Sequence, residues 1–492
     1  MTNEFYKVFI GLVLLSLTTL HCSNPRPSDA VSSEAIELPA AKIDEDKPIQ
    51  KNNLVLVVID SLRYDRISRD RNGVPFMPKL RDLASRSLFF ENAFTQATWT
   101  KPAVTSIMTS LYPEVHKTLY GVTVSLGIDS QTTVDGLPEN IEPMAELLKK
   151  NGFSTVAIQT NINLNESSGL SRGFDEYVVK PYPGCTATET TDLALTKLRT
   201  IQKPFFLYVH YMDPHHPYSP PERYHTVFET PPELNENDRQ LLEGFSEGYY
   251  LDKVLFEIGI KPSRNLGDLS ADGKKYVELM YDGEVRYTDD ELDRLVQEIT
   301  TQFPNTFIMI TADHGEEFWE HGSIGHSKTV YEELAHVPLL LYGPGIQKER
   351  VSRPVELIDI LPTVASLLDI ARSDLWQGIS LLNSDQDASL RPIFIETRGS
   401  LREANLFLRA IQLGQKKLVR NVSRNEDRFY KIGSSGFDEE ITPDPHTETK
   451  LREILEHHIS ANAQHPLFES QTVENEISDE IKEQLRRIGY LH

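Results

Sequence analysis

Cysteine is scarce in this chain of 492 residues, which contains only Cys22 and Cys185. A single pair allows at most one disulfide, and no disulfide can form within the chain if Cys22 carries a lipid. A disulfide framework is therefore excluded, and the fold must be held by its hydrophobic core. A chain of this length is too long for one small core, so we expect one large domain and a smaller one.

A surplus of positive charge is also missing, since 73 acidic residues outnumber 50 lysines and arginines and leave a formal net charge of −23. The phosphate backbone of a nucleic acid would be repelled, so nucleic-acid binding is excluded. Small anionic substrates are not excluded, because they respond to the local field of their binding site. The apolar fraction of 39% and the charged fraction of 25% are typical of a soluble globular protein.

The N-terminal apolar run falls short of a membrane span. It covers residues 8–20 after Lys7, and it has the length of a signal-peptide core. Cys22 follows it and resembles the lipidated cysteine of a bacterial lipoprotein, although His21 stands where a small residue is usual. The alternatives are an ordinary signal peptide or an uncleaved anchor. We predict that residues 1–22 direct export and that Cys22 anchors the protein to a bacterial membrane, in the periplasm or at the cell surface.

Three segments that differ in composition follow the predicted signal peptide, which we call the leader. Residues 23–50 contain Pro, Ser, Glu and Asp with few large apolar side chains, which predicts a disordered tether. Residues 51–390 alternate between strand and helix patterns and are predicted to form the main domain. In residues 391–492 a hairpin at 410–422, a strand at 428–432 and helices at 451–459 and 481–488 predict a small subdomain with an antiparallel sheet.

The alternating pattern of the main domain predicts an α/β fold. Buried strands are indicated by short apolar, β-branched runs at residues 54–59, 153–158, 205–209, 306–310 and 337–342. Helices are indicated at residues 77–87, 141–151, 188–201, 274–303 and 357–368. Such alternation is typical of a mostly parallel central sheet that is covered by helices on both faces.

An aspartate follows two of the predicted strands. Asp60 comes after the first strand, and Asp313 with His314 comes just after another. Open α/β sheets bind ligands at the carboxyl ends of their strands, and carboxylate and imidazole groups are ligands for divalent cations. Asp60 follows six apolar residues, so it needs a partner to offset the cost of burial. The alternatives are a solvated Asp-His pair, and for Asp60 a salt bridge to Arg63 or a helix cap.

Thr100 stands at the start of a predicted helix, with Pro102 in its first turn. A hydroxyl there faces free backbone N–H groups and the positive end of the helix dipole, which favours an anion. A threonine hydroxyl is a weak nucleophile unless a cation lowers its pKa. Taken alone, Thr100 is more typical of a residue that only caps the helix.

In their order and spacing these segments resemble the sulfatase family of the alkaline-phosphatase superfamily. Asp60 matches the metal-binding aspartate after the first strand of that family. Thr100 lies where the family has Cys or Ser in its C/S-x-P-x-R signature, and Pro102 is in register. Asp313 and His314, followed by glycine, match the second metal motif.

Three further blocks extend the resemblance over about residues 53–458. Residues 320–340 resemble the block after the second metal motif, and residues 428–440 resemble the family's C-terminal block. Residues 208–221 resemble the block that supplies an active-site histidine, which is His215 here. The resemblance implies an alkaline-phosphatase-like fold and a hydrolase of sulfate or phosphate esters.

The departures from the family pattern concern the reacting group. Sulfatases convert the signature Cys or Ser to formylglycine, which requires the downstream Arg. Here Thr100 and Val104 occupy these positions, so no formylglycine is expected. The Lys and His of arylsulfatases are absent from residues 159–177, where Asn161 is a candidate substitute. His326 stands where arylsulfatases carry a substrate-binding lysine.

The resemblance implies a site with one divalent cation held by Asp60, Thr100, Asp313 and His314. The nitrogen ligand favours Mn²⁺ or Zn²⁺, and Ca²⁺ remains possible. Thr100 is the expected nucleophile, while His215 and His326 are expected to contact the ester and its leaving group, one as general acid. Four further histidines are predicted to be structural: His210, His216, His321 and His336. Three other polar residues are predicted to lie outside the chemistry, Lys101 in solvent and Asp282 and Asp289 as packing or capping residues.

Threonine as the nucleophile resembles the phospho-transfer branch of the superfamily. A formylglycine hydrate can expel sulfate, whereas a threonyl sulfate has no such exit and a threonyl phosphate can be hydrolysed by water. Thr100 therefore favours phosphate or phosphonate esters of a small molecule, glycan or lipid over sulfate esters. Two alternatives remain, a transferase acting on envelope lipid or glycan and an inactive binding lipoprotein. Transferases of this kind usually carry several transmembrane helices. An inactive binding lipoprotein would be expected to have lost a metal ligand.

Overall fold

The computed structural model describes residues 51–124, 132–180, 185–243, 266–383, 390–399, 406–471, 473–476 and 482–483. The predicted leader with Cys22, the tether at 23–50 and most of the predicted helix at 481–488 lie outside these residues. Across the described ranges, no helix is both long enough and apolar enough to cross a membrane.

Among the described residues, nine strands form the central sheet. In chain order they are β1 Asn53–Ile59, β2 Leu88–Phe94, β3 Ser154–Gln159, β4 Glu176–Val179, β5 Phe205–Tyr211, β6 Thr306–Ala312, β7 His336–Tyr342, β8 Glu349–Val351 and β9 Val355–Glu356. Every residue of β1, β5 and β6 is buried, as predicted for strands covered on both faces. The strand β2 is not predicted from the sequence, because Glu91 and Asn92 interrupt its apolar run.

The strands lie in the order β8-β2-β7-β6-β1-β5-β3-β4, and β9 also pairs with β2. The strand β1 is parallel to β6 and β5, and β3 is parallel to β5 and β4. Only β7 runs against its neighbours β6 and β2 among these pairs of the described residues. The predicted mostly parallel sheet is therefore confirmed, with β7 as its antiparallel exception.

Helices connect the strands and flank the sheet. In chain order they are α1 Asp65–Ser68, α2 Pro78–Ala84, α3 Thr100–Thr109, α4 Pro113–His116, α5 Met144–Lys150, α6 Ala187–Leu198, α7 Glu236–Glu243, α8 Ala271–Gln302, α9 Glu332–Ala335, α10 Ile360–Leu367 and α11 Pro445–Ala463. The five helices predicted in the main domain begin and end within three residues of α2, α5, α6, α8 and α10.

A second sheet follows in the C-terminal part. Its antiparallel strands pair in chain order, β10 Ile393–Thr397, β11 Leu408–Leu413, β12 Lys416–Asn421, β13 Glu426–Ile432 and β14 Asp438–Ile441. The helix α11 packs Leu451 and Leu455 against Ile411, Leu418 and Phe429 of this sheet. The predicted antiparallel sheet with a helix is confirmed, while the boundary at residue 390 stays a prediction.

Small sheets complete the described structure. They pair Asp70–Arg71 with Val74–Pro75, Glu317–Phe318 with Ile324–Gly325, and Thr132–Gly136 with both Val122–Val124 and Val473–Glu476.

Candidate active site

The floor of the site is the carboxyl edge of three adjacent parallel strands. Ile59 at the end of β1 pairs with Ala312 of β6 and with Tyr211 of β5. Asp60 and Asp313 follow directly, and both are 0% exposed. This register explains why two aspartates far apart in sequence lie side by side.

The predicted ligands Asp60, Asp313 and His314 come together. Nε2 of His314 lies 3.6 Å from Oδ1 of Asp60 and 3.5 Å from Oδ2 of Asp313. The ligand atoms of all three lie within 4.8 Å of one another. Ser61 has a left-handed φ of 59°, and its N–H donates to Oδ1 of Asp313 over 3.2 Å. This bond joins the loop after β1 to the loop after β6.

Thr100 is the first residue of α3, and its hydroxyl oxygen lies 3.3 Å from Oδ2 of Asp60 and 3.4 Å from Nε2 of His314. The prediction that Thr100 caps the helix is wrong. The extended residue before the helix is Trp99, with φ −160° and ψ 158°, so the helix starts one position earlier than a cap at Thr100 requires. The hydroxyl consequently faces the carboxylate edge of the sheet, close to the positive end of the buried helix.

The chemistry of these residues fits a divalent cation. Oδ2 of Asp313 is buried and has no hydrogen-bond partner within the described part of the chain. Burial raises the pKa of Asp313 well above its usual range, and the charge of Asp60 raises it further. Burial also raises the pKa of Asp60, but the charge of His215 and the hydrogen bond from His210 outweigh it and lower this pKa below its usual range. Two carboxylates with opposed pKa shifts are a pair that a shared cation would satisfy.

Asn161 adds a hydrogen-bond donor to the site. It follows β3, so it reaches the same edge of the sheet, and its Nδ2 lies 2.8 Å from Oδ2 of Asp60 and 3.1 Å from the Thr100 hydroxyl oxygen. Its Oδ1 accepts from the backbone N–H of Asn163 over 3.0 Å, which fixes the orientation of the amide. The sequence-based suggestion that Asn161 makes a polar contact here agrees with this geometry.

His210 also contacts Asp60, a role that the sequence reasoning missed. Its Nε2 lies 3.2 Å from Oδ2 of Asp60, and its Nδ1 lies 2.9 Å from the hydroxyl of Tyr208. Because a carboxylate only accepts, Nε2 carries the proton and Nδ1 accepts from Tyr208. Tyr208 and His210 are two residues apart near the end of β5, a spacing that places them on one face of the strand.

His215 and His326, the predicted contacts of the ester, lie together beside His314. The ring centroid of His326 is 5.0 Å from that of His215 and 4.4 Å from that of His314. Nδ1 of His326 lies 3.0 Å from Oε1 of Glu316, which also accepts the Tyr218 hydroxyl through Oε2 over 3.0 Å. Glu316 is a second functional contact that the sequence reasoning missed, although it stands two residues after His314.

His216 joins the same group of histidines. Its carbonyl oxygen lies 2.6 Å from Nδ1 of His215, and the ring centroids of the two residues are 4.0 Å apart. The ligand nitrogens of His215, His216 and His326 lie within 4.8 Å of one another. His216 was predicted to be structural, and the structure places it among the histidines of the candidate site.

One sequence-based expectation about a basic residue is wrong, and so is one alternative. Lys101 is fully buried rather than solvent-exposed, because every residue of α3 is buried, and its Nζ donates to the carbonyl of Tyr120 over 2.9 Å. Arg63, an alternative partner for Asp60, instead forms ion pairs with Asp65 at 2.9 Å and Glu320 at 2.6 Å.

Asp282 and Asp289 have the structural roles that were predicted. Asp282 forms ion pairs with Arg66 and Arg71 at 2.8 Å and 3.2 Å. Asp289 accepts the first backbone N–H groups of α2, from Lys79 over 3.0 Å and from Leu80 over 2.8 Å.

Most of the described main domain matches a known protein family. Residues 52–370 match the family model described as Sulfatase. The chain belongs to the sulfatase family. It is similar to the Escherichia coli protein described as uncharacterized sulfatase YidJ, with 27% identity over 189 residues that cover 37% of this chain and 35% of that protein. The iduronate 2-sulfatase of Homo sapiens is 24% identical over 345 residues, which cover 60% of each protein. Both alignments span less than two thirds of the relative's length.

Solved structures of this superfamily share the fold of the sulfatase-family chain. The phosphonate monoester hydrolase of Silicibacter pomeroyi superposes with a TM-score of 0.64 at 18% identity, covering 84% of this chain and 96% of that one. At this identity the likeness shows the fold alone, and it confirms the predicted alkaline-phosphatase-like architecture.

Proposed function

We propose that this protein is a metal-dependent hydrolase of phosphate or phosphonate esters with Thr100 as its nucleophile. One observation carries the proposal: the Thr100 hydroxyl oxygen lies within 3.4 Å of Asp60, Asn161 and His314 at the start of a buried helix. A helix cap needs no such convergence of carboxylate, amide and imidazole around one hydroxyl. The retention of all four residues of the cation site also speaks against an inactive binding protein.

A cation held by Asp60, Thr100, Asp313 and His314 would lower the pKa of the threonine hydroxyl and neutralise the non-bridging oxygens of the ester. The hydroxyl donates to Oδ2 of Asp60, 3.3 Å away, and this bond orients it. Because the pKa of Asp60 is lowered below its usual range, the departing proton would pass on to solvent rather than stay on this carboxylate. The amide of Asn161 donates to the same hydroxyl oxygen and stabilises the charge that develops there.

The reaction then has two halves. In the first, the Thr100 oxygen forms a bond to phosphorus, and the bond between phosphorus and the leaving oxygen breaks. His215 and His326 lie beside His314, where one of them would protonate that leaving oxygen. In the second, a water oxygen attacks phosphorus and the bond to Thr100 breaks, which regenerates the hydroxyl and releases the acid.

Two residues favour phosphorus esters over sulfate esters as the substrates of this protein. Thr100 replaces the Cys or Ser that becomes formylglycine, and Val104 replaces the arginine of that signature. A threonyl sulfate could not expel sulfate as a formylglycine hydrate does, whereas a threonyl phosphate or phosphonate can be cleaved by water. The coarser proposal, a sulfuric or phosphoric ester hydrolase, rests on the family itself.

A substrate panel tests this proposal. The purified protein is assayed with nitrophenyl sulfate, phosphate, phosphodiester and phosphonate esters, with and without chelator and added Mn²⁺ or Zn²⁺. We expect metal-dependent turnover of the phosphorus esters, a loss of about 10³-fold or more in Thr100→Ala, and partial activity in Thr100→Ser. Thr105→Ala is the matched control, since among the described residues its hydroxyl bonds only the Lys101 carbonyl in the same helix, over 2.8 Å. Turnover of the sulfate ester alone would overturn the preference for phosphorus.

A further inference from the structure

Another cluster of metal-ligating side chains lies between the C-terminal sheet and the loop after β6. It consists of His321, Glu333 and Asp438, whose ligand atoms lie within 4.8 Å of one another, and we refer to it as the junction cluster. His321 lies between the short strands Glu317–Phe318 and Ile324–Gly325, Glu333 lies in α9, and Asp438 begins β14. The cluster shares no residue with the candidate active site.

The carboxylate of Glu333 is the observation that points to a ligand. The residue is only 5% exposed, and neither of its carboxylate oxygens has a hydrogen-bond partner among the residues that the structure describes. The nearest contact given for it is Nε2 of His321, 3.5 Å from Oε1. The guanidinium of Arg63 is engaged by Asp65 and Glu320. A buried carboxylate aimed at a histidine without a hydrogen bond is costly unless a further group satisfies it.

The charges around the cluster do not balance. Three buried carboxylates, those of Glu332, Glu333 and Asp438, surround the buried ammonium of Lys417, whose Nζ lies 3.0 Å from Asp438 and 3.3 Å from Glu332. Burial lowers the pKa of Lys417, but the charges of Asp438 and Glu332 outweigh it and raise this pKa, so the lysine stays protonated. Burial raises the pKa of Glu333 well above its usual range, so this carboxyl gives up its proton only when a cation takes its place. All three carboxylates are then ionised, and one divalent cation would neutralise the two negative charges that Lys417 leaves.

We propose that the junction cluster binds a divalent cation of the zinc or manganese class through His321, Glu333 and Asp438. One imidazole nitrogen and two carboxylates form a ligand set that these cations accept. Metal–ligand bonds of about 2.0–2.2 Å bring donor atoms closer than their present separation, so small side-chain rotations close the site. Solvent would complete the coordination.

The ion would have a structural role. His321 belongs to the loop that begins with Asp313 and His314, whereas Asp438 belongs to the second sheet. A cation bound by these side chains would link the C-terminal sheet to the loop that carries Asp313 and His314. Because a folded site binds the metal more tightly than the unfolded chain does, binding would raise the melting temperature. This inference does not depend on the reaction proposed above.

Metal content and thermal unfolding of the full chain test the inference. The protein is stripped with EDTA, dialysed against ZnCl₂ or MnCl₂, and measured for bound metal per chain and for the melting temperature. Asp313→Asn removes a ligand of the candidate active site, so the metal that remains in this variant and is lost when Glu333→Gln is added reports on the junction cluster. We expect Asp313→Asn to keep about one equivalent and a metal-dependent rise in melting temperature, and the double variant with Glu333→Gln to lose both.

Two further variants keep the test decisive. His321→Asn changes a partly exposed ligand and should lose the same equivalent even if Glu333→Gln fails to fold. Glu317→Gln is the matched control, because Glu317 is a buried carboxylate of the same loop that accepts from Ser323 N over 2.9 Å and Ser323 Oγ over 2.8 Å. It should keep the metal. Unchanged metal content and an unchanged rise in melting temperature in His321→Asn would overturn the inference.

Discussion

The side-chain nitrogen of Asn161 donates a hydrogen bond to the hydroxyl oxygen of Thr100 over 3.1 Å. The same nitrogen reaches Oδ2 of Asp60 over 2.8 Å, so one amide orients both the proposed nucleophile and a candidate metal ligand. In the arylsulfatase pattern, lysine and histidine follow the equivalent strand, whereas this chain supplies a neutral donor. A hydrogen-bond donor at the Thr100 oxygen would stabilise negative charge on that oxygen, as the proposed role of Thr100 as nucleophile requires.

Removing this donor should slow the reaction. We expect Asn161→Ala to lower kcat by about 10²-fold, because a donor to a developing oxyanion contributes about that much. Steady-state kinetics on the best ester of the panel measure the effect. Asn165→Ala is the matched control, since within the described ranges its side chain bonds only Ile162 O and Ser167 N, each over 2.8 Å, and it should affect stability more than kcat. Equal kcat in Asn161→Ala and wild-type protein would contradict this role.

The pair Tyr208 and His210 should act through Asp60 rather than on the substrate. We expect His210→Ala to weaken metal binding by about 10-fold to 100-fold, as for other groups that orient a ligand. Tyr208→Phe keeps the ring and removes only the hydroxyl that donates to His210, so its loss should be smaller. Chelator competition gives the metal affinity directly. A loss of activity in His210→Ala that saturating metal does not restore would contradict the assignment.

Gly315 lies where a side chain cannot fit. A Cβ added there would approach the carbonyl oxygen of Glu333 to 2.0 Å, so Gly315→Ala must displace the backbone of α9 or the loop that carries Asp313 and His314. We expect loss of most activity and a marked drop in melting temperature. Gly322→Ala in the same loop meets nothing within 4 Å and has a φ of +91°, so it should lose only about 1 kcal/mol through backbone strain. Similar effects in the two variants would contradict the packing described.

Acidification should destabilise the protein through His116. Burial lowers the pKa of this side chain to about 3, and its Nδ1 accepts the N–H of Thr118 over 3.1 Å. The unfolded chain binds a proton to this histidine near pH 6.5 while the folded chain does not, so its contribution to stability is full above pH 6.5 and falls as the pH drops toward 3. Chemical unfolding at several pH values should show a slope of about 1.4 kcal/mol per pH unit from this group, absent in His116→Asn. An identical slope in both proteins would contradict it.

The sequence predicted the fold and the proximity of Asp60, Asp313 and His314 because both depend on local patterns. Apolar runs predicted the buried strands β1, β5 and β6, and an aspartate directly after a strand must lie at its carboxyl edge. Asp60 and Asp313 could therefore be assigned to one site before the structure was known. The strand β2 and the antiparallel direction of β7 depend on pairings between distant segments, which local patterns do not specify.

The surroundings of the site were less predictable for the same reason. Lys101 looks like a surface residue until the burial of the whole helix α3 is known. His210 and Glu316 contact their partners only after strands and loops assemble, and nothing in their immediate sequence distinguishes them from structural residues. The start of α3 at Thr100 differs from the predicted cap by one position, yet this shift decides where the hydroxyl points.

The identity of the covalently modified residue tests the central claim most directly. The metal-loaded protein is mixed with a nitrophenyl phosphonate or phosphate ester, quenched in acid within the first turnover, digested and mapped by mass spectrometry. The account predicts a phosphonyl or phosphoryl group on Thr100 that is absent after chelation and absent in Thr100→Ala. A group found on another residue, or wild-type turnover in Thr100→Ala, would contradict it.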